Sequence, residues 1–315
     1  MRVTQNSFSD SLIGQLNVLT ARQYGLQSQV SSGLRVQAPS DDPTAMENVL
    51  NYKTSQAAQD QYGSNISTLQ GRANSIYSVL QSLQTISSRV GEISTLAGDP
   101  TKSPSDMNTY SAEVSQLIQQ AAQLVNTKDA ATGQYLFGGT NSGQAPFAVT
   151  KDTNGNITGV TYQGNTSVNQ SEIASGATLT VDVPGENNSS TGARGLVTDS
   201  NSGADLFNHL ISLQNNLLAN NKTAITSNDV PALQKDENNL LYQISNNGAV
   251  QSRLNSAATA ASTNSSSLDQ MISKASDADI VQTMVQLNEA QNAYQAGLQS
   301  GAKIMQLSLL NYIPV

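Results

Sequence analysis

Few side chains in this 315-residue chain could carry out chemistry. The one histidine, His209, sits beside Leu210 in an amphipathic run over residues 206–217. A lone imidazole on such a run reads as a surface or boundary residue, not as a general base. Asp152-Thr153-Asn154-Gly155-Asn156 loosely matches a calcium loop, but its glycine stands two places early and no glutamate follows at the twelfth position. Gly138-Gly139-Thr140-Asn141-Ser142-Gly143 could be imagined around a phosphate. No Gly-Lys-Ser/Thr follows it, and it leads into a strand pattern instead of opening a helix, so a linker is the better reading. Asp41-Asp42 are adjacent carboxylates that helix capping explains without catalysis. With no cysteine in the chain there is no disulfide framework, thiolate metal site or cysteine nucleophile, and no HExxH, GxSxG or P-loop pattern is present. The sequence is therefore not that of an enzyme, and no cofactor or metal is expected.

The bulk composition suits structural work. Hydrophobic residues make up 37% and charged residues 12%, against roughly 45–50% and about 25% in ordinary globular chains. Ser, Thr, Asn and Gln fill the difference, which favours elongated layers with thin apolar seams over one thick core. The net charge of −8 argues against nucleic acid, whose binders need basic surface, and against a polybasic grip on lipid. No stretch approaches the ~18–20 apolar residues of a membrane span. MRVTQNSFSDSLIGQL lacks a basic region followed by an apolar one, so no cleaved Sec-type signal is expected, and these features alone point to the cytoplasm.

The elements that would position any working surface read as helix, then strand, then helix. Leu12, Leu16, Leu19, Gln23, Leu26 and Val30 step by four and three, an a/d seam with one polar slot. Gly33 ends it, residues 34–40 connect, and Asp42-Pro43 opens the next helix as N-cap and N1. That helix has the seam Leu69, Ala73, Ile76, Leu80, Leu83, Ser87, Val90 and stops near Gly98-Asp99-Pro100. A third is expected from a cap at Ser105 to Gly133, with the seam Met107, Tyr110, Val114, Leu117, Ala121, Leu124.

From about 138 to 194 short β-branched runs alternate with Gly and Asn. A hairpin is expected between Phe147-Ala148-Val149 and residues 157–162, and another strand at 178–183. Helix resumes at Asp205 with Leu206, Leu210, Leu213 and Leu217. A long one follows over about 229–272, with the seam Val230, Leu233, Glu237, Leu240, Ile244, Asn247, Gln251, Leu254, Ala258, Ala261. The last helix starts near Asp277 and Asp279, with the seam Ile280, Met284, Leu287, Gln291, Tyr294, Leu298, Gly301, Met305. The two terminal seams either pack on one shared core or pair with each other as a coiled coil.

The expected fold is mainly α: an antiparallel coiled-coil and helix bundle built from both chain ends, carrying a small β-rich outer domain. Residues 1–40 and 275–315 form the terminal coiled coil in this reading. Residues 41–140 and 195–274 form the central bundle, and 141–194 the β insertion. Gly138–Gly143 and Gly192–Gly195 read as flexible flanks, which would make the insertion dispensable.

The segment Ser31-Ser32-Gly33-Leu34-Arg35-Val36-Gln37-Ala38-Pro39-Ser40-Asp41-Asp42-Pro43 resembles the N-terminal signature of the bacterial flagellin superfamily, where SGLR precedes an Asp pair opening a helix. Gly133-Gln134-Tyr135-Leu136-Phe137-Gly138-Gly139-Thr140, Pro146-Phe147 and Val160-Thr161-Tyr162-Gln163-Gly164 are similar to the hook–filament junction branch of that superfamily. So is the ending Leu307-Ser308-Leu309-Leu310-Asn311-Tyr312-Ile313, although an acidic residue is common at position 311 and Pro314-Val315 is extra. Ser276-Asp277-Ala278-Asp279 is similar to the acidic start of the family's terminal helix.

The resemblance implies a structural subunit exported without cleavage through the flagellar type III apparatus and residing outside the cell, which replaces the cytoplasmic expectation. It implies a ring of copies acting as an adaptor between hook-associated protein 1 and flagellin, and an export chaperone on the C-terminal helix. Assembly would use the terminal seams, including Leu309 and Leu310, and the motif residues Ser32, Gly33, Leu34, Arg35, Asp41, Asp42 and Pro43. A filament flagellin, and more remotely an adhesive surface protein, are the competing readings.

Overall fold

Local capping chemistry sets the helix boundaries. In the computed structural model, which describes residues 5–310 except 154 and 190, with backbone alone at 5–9 and 304–310, the first helix α1 spans Gln5–Ser32. It ends at Gly33, whose φ of 75° is the left-handed turn that terminates helices. Helix α2 runs Pro43–Ala97, with the Asp42 carboxylate accepting the Ala45 N–H at 3.0 Å. Helix α3 spans Pro104–Val125 and begins one cap earlier than expected. Ser103, not Ser105, is its N-cap: Pro104 takes the first helical position, and Ser103 and Asp106 bond each other's backbone N–H groups at 2.8 and 3.2 Å.

Helix α3 also stops well before Gly133. Asn126 turns the chain by bonding both the N–H and the C=O of Phe147, at 3.0 and 2.9 Å. Residues 127–135 then close on Asp129, whose carbonyl accepts from Gly133. The buried face of α3 is Met107, Ser111, Val114, Ser115, Ile118, Ala121, Ala122 and Val125. Tyr110, Leu117 and Leu124 lie on its flank, so the seam is rotated from the one expected. Small Ser111 and Ser115 face inward here, where a hydrophobicity scan sees gaps.

The middle of the chain makes three small sheets. Strands β1 (Phe147–Lys151) and β2 (Ile157–Tyr162) form the expected hairpin, with Phe147 opposite Tyr162. Strands β3 (Ser171–Ala174) and β4 (Ala177–Leu179) form a second. Pairing stops at Leu179, short of the strand expected to 183, although Val181 and Val183 stay buried. Strand β6 (Thr198–Asp199) pairs with β5 (Glu186–Asn187) in parallel and with β7 (Ala204–Asp205) antiparallel. Helix α4 follows over Leu206–Leu218, with Leu206, Leu210, Leu213 and Leu217 buried as expected. A short α5 (Lys222–Ala224) and a π turn (Ile225–Asp229) lead into α6, Val230–Ser276. Helix α7 spans Ile280–Leu310.

The chain divides into two compact units, residues 1–58 with 263–315, and residues 59–262. In the second, the α2 seam from Ile76 to Val90 packs with α3 and α4, and Phe147, Ile157, Val183 and Leu196 belong to the same core. A smaller cluster joins Ile66, Leu69 and Ala73 of α2 to Ile173, Leu179 and Val181, with Leu254 and Ala261 of α6. Helix α6 carries a buried polar row of which the expected seam held only Asn247. Asn239 bonds the carbonyls of Gly195 and Leu196, Gln243 that of Arg194, and Asn247 that of Ala73.

The flanks of the insertion are packed at Gly138, Gly139 and Gly195, while Gly143 and Gly192 have room around them. A Cβ on Gly138 would come within 2.7 Å of the Asn141 carbonyl oxygen, and one on Gly195 would meet the backbone of Asn187 and Thr198. Replacing residues 144–191 with a Gly/Ser link is accordingly expected to abolish cooperative unfolding of residues 59–262. Truncating a buried Phe such as Phe147 alone costs about 3–5 kcal/mol. Circular dichroism of the shortened chain during urea titration checks this, and a wild-type transition would show the insertion to be separable.

Candidate assembly surface

The terminal seams do meet. Leu12, Leu16, Leu19, Gln23 and Val30 of α1 are partly buried and Leu26 fully so, and α1 packs along α7. The pairing is antiparallel: Leu12 faces Gly301, Leu16 faces Gly297, the Gln23 side-chain amide donates to the Ala290 carbonyl at 3.0 Å, and Leu34 bridges Asp277. A Cβ on Gly301 would lie 2.5 Å from Leu12 Cδ2, and one on Gly297 would lie 3.1 Å from Leu16 Cδ2. These glycines are seats for leucine side chains of α1.

On α7 the buried side thus holds Thr283, Leu287, Ala290, Tyr294, Gly297 and Gly301, with Ile280 at its start. Met284, Gln291 and Leu298, expected in the seam, point away from it. Their neighbours Val281 and Val285 are exposed too, leaving a small apolar cluster in water with Met284 at 48% exposure, while Leu298, at 46%, stands apart from it beyond the exposed Asn288, Gln291, Asn292 and Gln295. Helix α1 likewise shows Ile13, Val18 and Tyr24. The side chains of Met305, Leu309 and Leu310, and residues 311–315, lie outside the described residues.

The motif at 31–43 sits against the turn between α6 and α7. The Ala278 N–H donates to the Gly33 carbonyl at 2.8 Å, and the N–H groups of Arg35 and Val36 donate to Ser276 at 2.6 and 3.3 Å. Leu34 forms the bridge to Asp277, and its N–H donates to Ser32 Oγ at 3.2 Å. Asp41 accepts the N–H groups of Gln37 and Ala38. Those backbone donors, Ala38 first, hold its carboxyl below the usual aspartate range, as the Ala45 N–H does for Asp42. Pro43 opens α2. Asp42 is the helix cap its sequence suggests, whereas Asp41 braces the connector before α2.

His209 is half-buried in residues 59–262, with Nδ1 2.8 Å from the buried Asp236, whose other oxygen accepts the Asp205 N–H. The Asp236 hydrogen bond raises the imidazole's pKa against the opposing effect of burial. Asp205 adds to that rise and Lys235 works against it. A raised histidine pKa contributes stability in full below the free value of about 6.5 and loses it as pH climbs through the folded value. On the acid side the pair ends when Asp236 takes up a proton, and burial brings this on at higher pH than for an ordinary aspartate. His209→Gln is therefore expected to cost most near pH 6 and least near pH 9, read from urea midpoints at each. A deficit that grows with pH would contradict the pairing. Among the described residues no group of three or more His, Cys, Asp or Glu could hold a metal ion.

Two helical ends joined antiparallel through glycine seats, with no group able to hold a metal among the described residues, are the build of a structural coiled-coil subunit. The family model "Bacterial flagellin N-terminal helical region" matches residues 6–142, and "Bacterial flagellin C-terminal helical region" matches residues 230–313. The chain belongs to the bacterial flagellin superfamily. Within it, the chain is similar to flagellar hook-associated protein 3 of Salmonella typhimurium, 27% identical over 231 residues that cover 73% of this chain and 69% of that one. A candidate flagellar hook-associated protein of Vibrio parahaemolyticus has the same fold, with a TM-score of 0.64 at 21% identity over 75% of this chain and 100% of that one. So does hook-associated protein 3 of Legionella pneumophila, with a TM-score of 0.57 at 15% identity over 76% and 99%.

Proposed function

We propose that this chain is a structural subunit of the bacterial flagellum, outside the cell, acting as the adaptor between hook and filament. The observation that carries the reading is the set of large apolar side chains Val281, Met284, Val285 and Leu298, left in water on a helix already paired with α1. Neighbouring subunits would cover them. Similarity to hook-associated protein 3 supports the junction in preference to the filament.

In this reading copies of the chain form a ring that contacts hook-associated protein 1 on one side and flagellin on the other, and the work done is mechanical. A chaperone would cover these side chains of α7 before type III export. Residues 1–40 with 275–315 would be the assembling part, 41–140 with 195–274 the supporting bundle, and 141–194 the outer β-rich part. Antibody labelling of flagella in the electron microscope should give a single band at the distal end of the hook, and a deletion strain should shed unpolymerised flagellin while keeping its hooks. Label along the whole filament would instead identify a filament flagellin.

A further inference from the structure

We infer that Arg35 is a positioning residue that ties the two halves of the chain together at the base of the α1/α7 pair and so sets the direction in which that pair leaves the helices below it. The last carbonyls of α6 have no partners inside their own helix and carry the negative end of its dipole. Arg35, about 240 residues away in sequence, supplies partners to two of them: its Nη2 donates to the Ala275 carbonyl at 2.8 Å and its backbone N–H to Ser276 at 2.6 Å. Its Nη1 reaches Asp42 at 3.3 Å, the same carboxylate that caps α2. One guanidinium thus spans the end of α6 and the start of α2, while the backbone on either side of it holds the start of α7 through Ala278 and Asp277.

The magnitudes separate two roles. Both Arg35 and Asp42 are more than a third exposed, and an ion pair so exposed adds little to stability. The α1/α7 seam is made by Leu12, Leu16, Leu26 and the glycine seats and does not involve Arg35. What the guanidinium contributes is geometry: a planar fork that reaches a carbonyl and a carboxylate together, which a lysine ammonium on its flexible stem does not reproduce. A ring of copies needs each pair to project at the same angle, so a loose base would stop assembly in a subunit that is otherwise folded. This inference rests on the terminal pair being the assembling part.

The test uses the full chain, which has no cysteine of its own. Cysteines at 16 and 297 report the α1/α7 seam, and cysteines at 34 and 277 report the latch. Arg35→Ala is expected to keep the wild-type melting profile and the 16–297 cross-link, to slow the 34–277 cross-link several-fold, and to lower incorporation into flagella at least tenfold. Arg35→Lys should recover less than half of that loss. Normal incorporation of Arg35→Ala would overturn the inference, as would loss of the 16–297 cross-link, which would make the residue a plain structural support. Leu298→Asp is the control. If it too incorporates normally, the terminal pair is not the assembling part and the proposed function falls; if it fails while Arg35→Ala succeeds, only the latch is wrong.

Discussion

Leu298→Asp is expected to melt with the wild type and yet be absent from the flagellum. Leu298 is 46% exposed on α7, off the seam that meets α1, so a carboxylate there stays hydrated in the lone subunit. The cost is a few tenths of a kcal/mol of helix propensity. Covered by a neighbouring copy, the same unpaired charge costs several kcal/mol in every subunit of the assembly. Leu80→Asp should do the opposite. Leu80 is fully buried in the α2 seam with Ile76 and Leu83, and an unpaired carboxylate there spends much of the about 5–15 kcal/mol that holds a domain folded. Calorimetry on both purified proteins and a motility assay on both strains make the comparison. Equal melting of the two variants would place Leu298 in the monomer's core and remove the basis for an assembly surface on α7.

Arg72→Met is expected to destabilise residues 59–262 by about 3–5 kcal/mol, the cost of stranding buried charge. Arg72 on α2 is 12% exposed and lies between two still more buried carboxylates. Its Nε is 2.5 Å from Asp182 and its Nη1 3.7 Å from Asp129, with Nη2 also reaching the Leu136 carbonyl at 3.4 Å. One helix thereby holds the Asp129 turn that ends α3 and the segment that follows β4. Adding Asp182→Asn should restore part of the loss, since it removes one stranded charge. Urea midpoints for the two variants measure this, and a loss under ~1 kcal/mol at pH 7 would show that the three charges are not coupled through burial.

Much of the scaffold was legible because it follows from local rules. Asp42-Pro43 opens α2, Gly33 ends α1, the β1/β2 hairpin closes where expected, and the leucines of α4 and the α2 seam are buried. Each depends on a few adjacent residues or on one helical period. The seam of α1 was legible for the same reason. That of α7 was legible in part: Ile280, Leu287, Tyr294 and Gly301 lie on the buried side as expected, but Ala290 and Gly297 look like gaps in a pattern of large apolar residues, and Met284, Gln291 and Leu298 were placed there instead. The value of the two glycines lies in the room they leave for Leu12 and Leu16. The spacing Gly297-x-x-x-Gly301 was the signal that could have found it.

Of the buried polar row on α6, Asn247 was in the expected seam, whereas Asp236, Asn239 and Gln243 were hidden in a similar way. A polar side chain is buried only where carbonyls or N–H groups await it, and those belong to Asp205, Gly195, Arg194 and Ala73. By itself the sequence determined that both ends are amphipathic helices, that the first stops at Gly33 and the last starts near Asp279, and that strands lie between them. Only the tertiary structure decided which side of α7 is spent on α1 and which remains in water, and that Arg35 closes on Ala275. Those facts depend on contacts between residues hundreds of positions apart, whose shapes and donors have meaning only once the chain has brought them together.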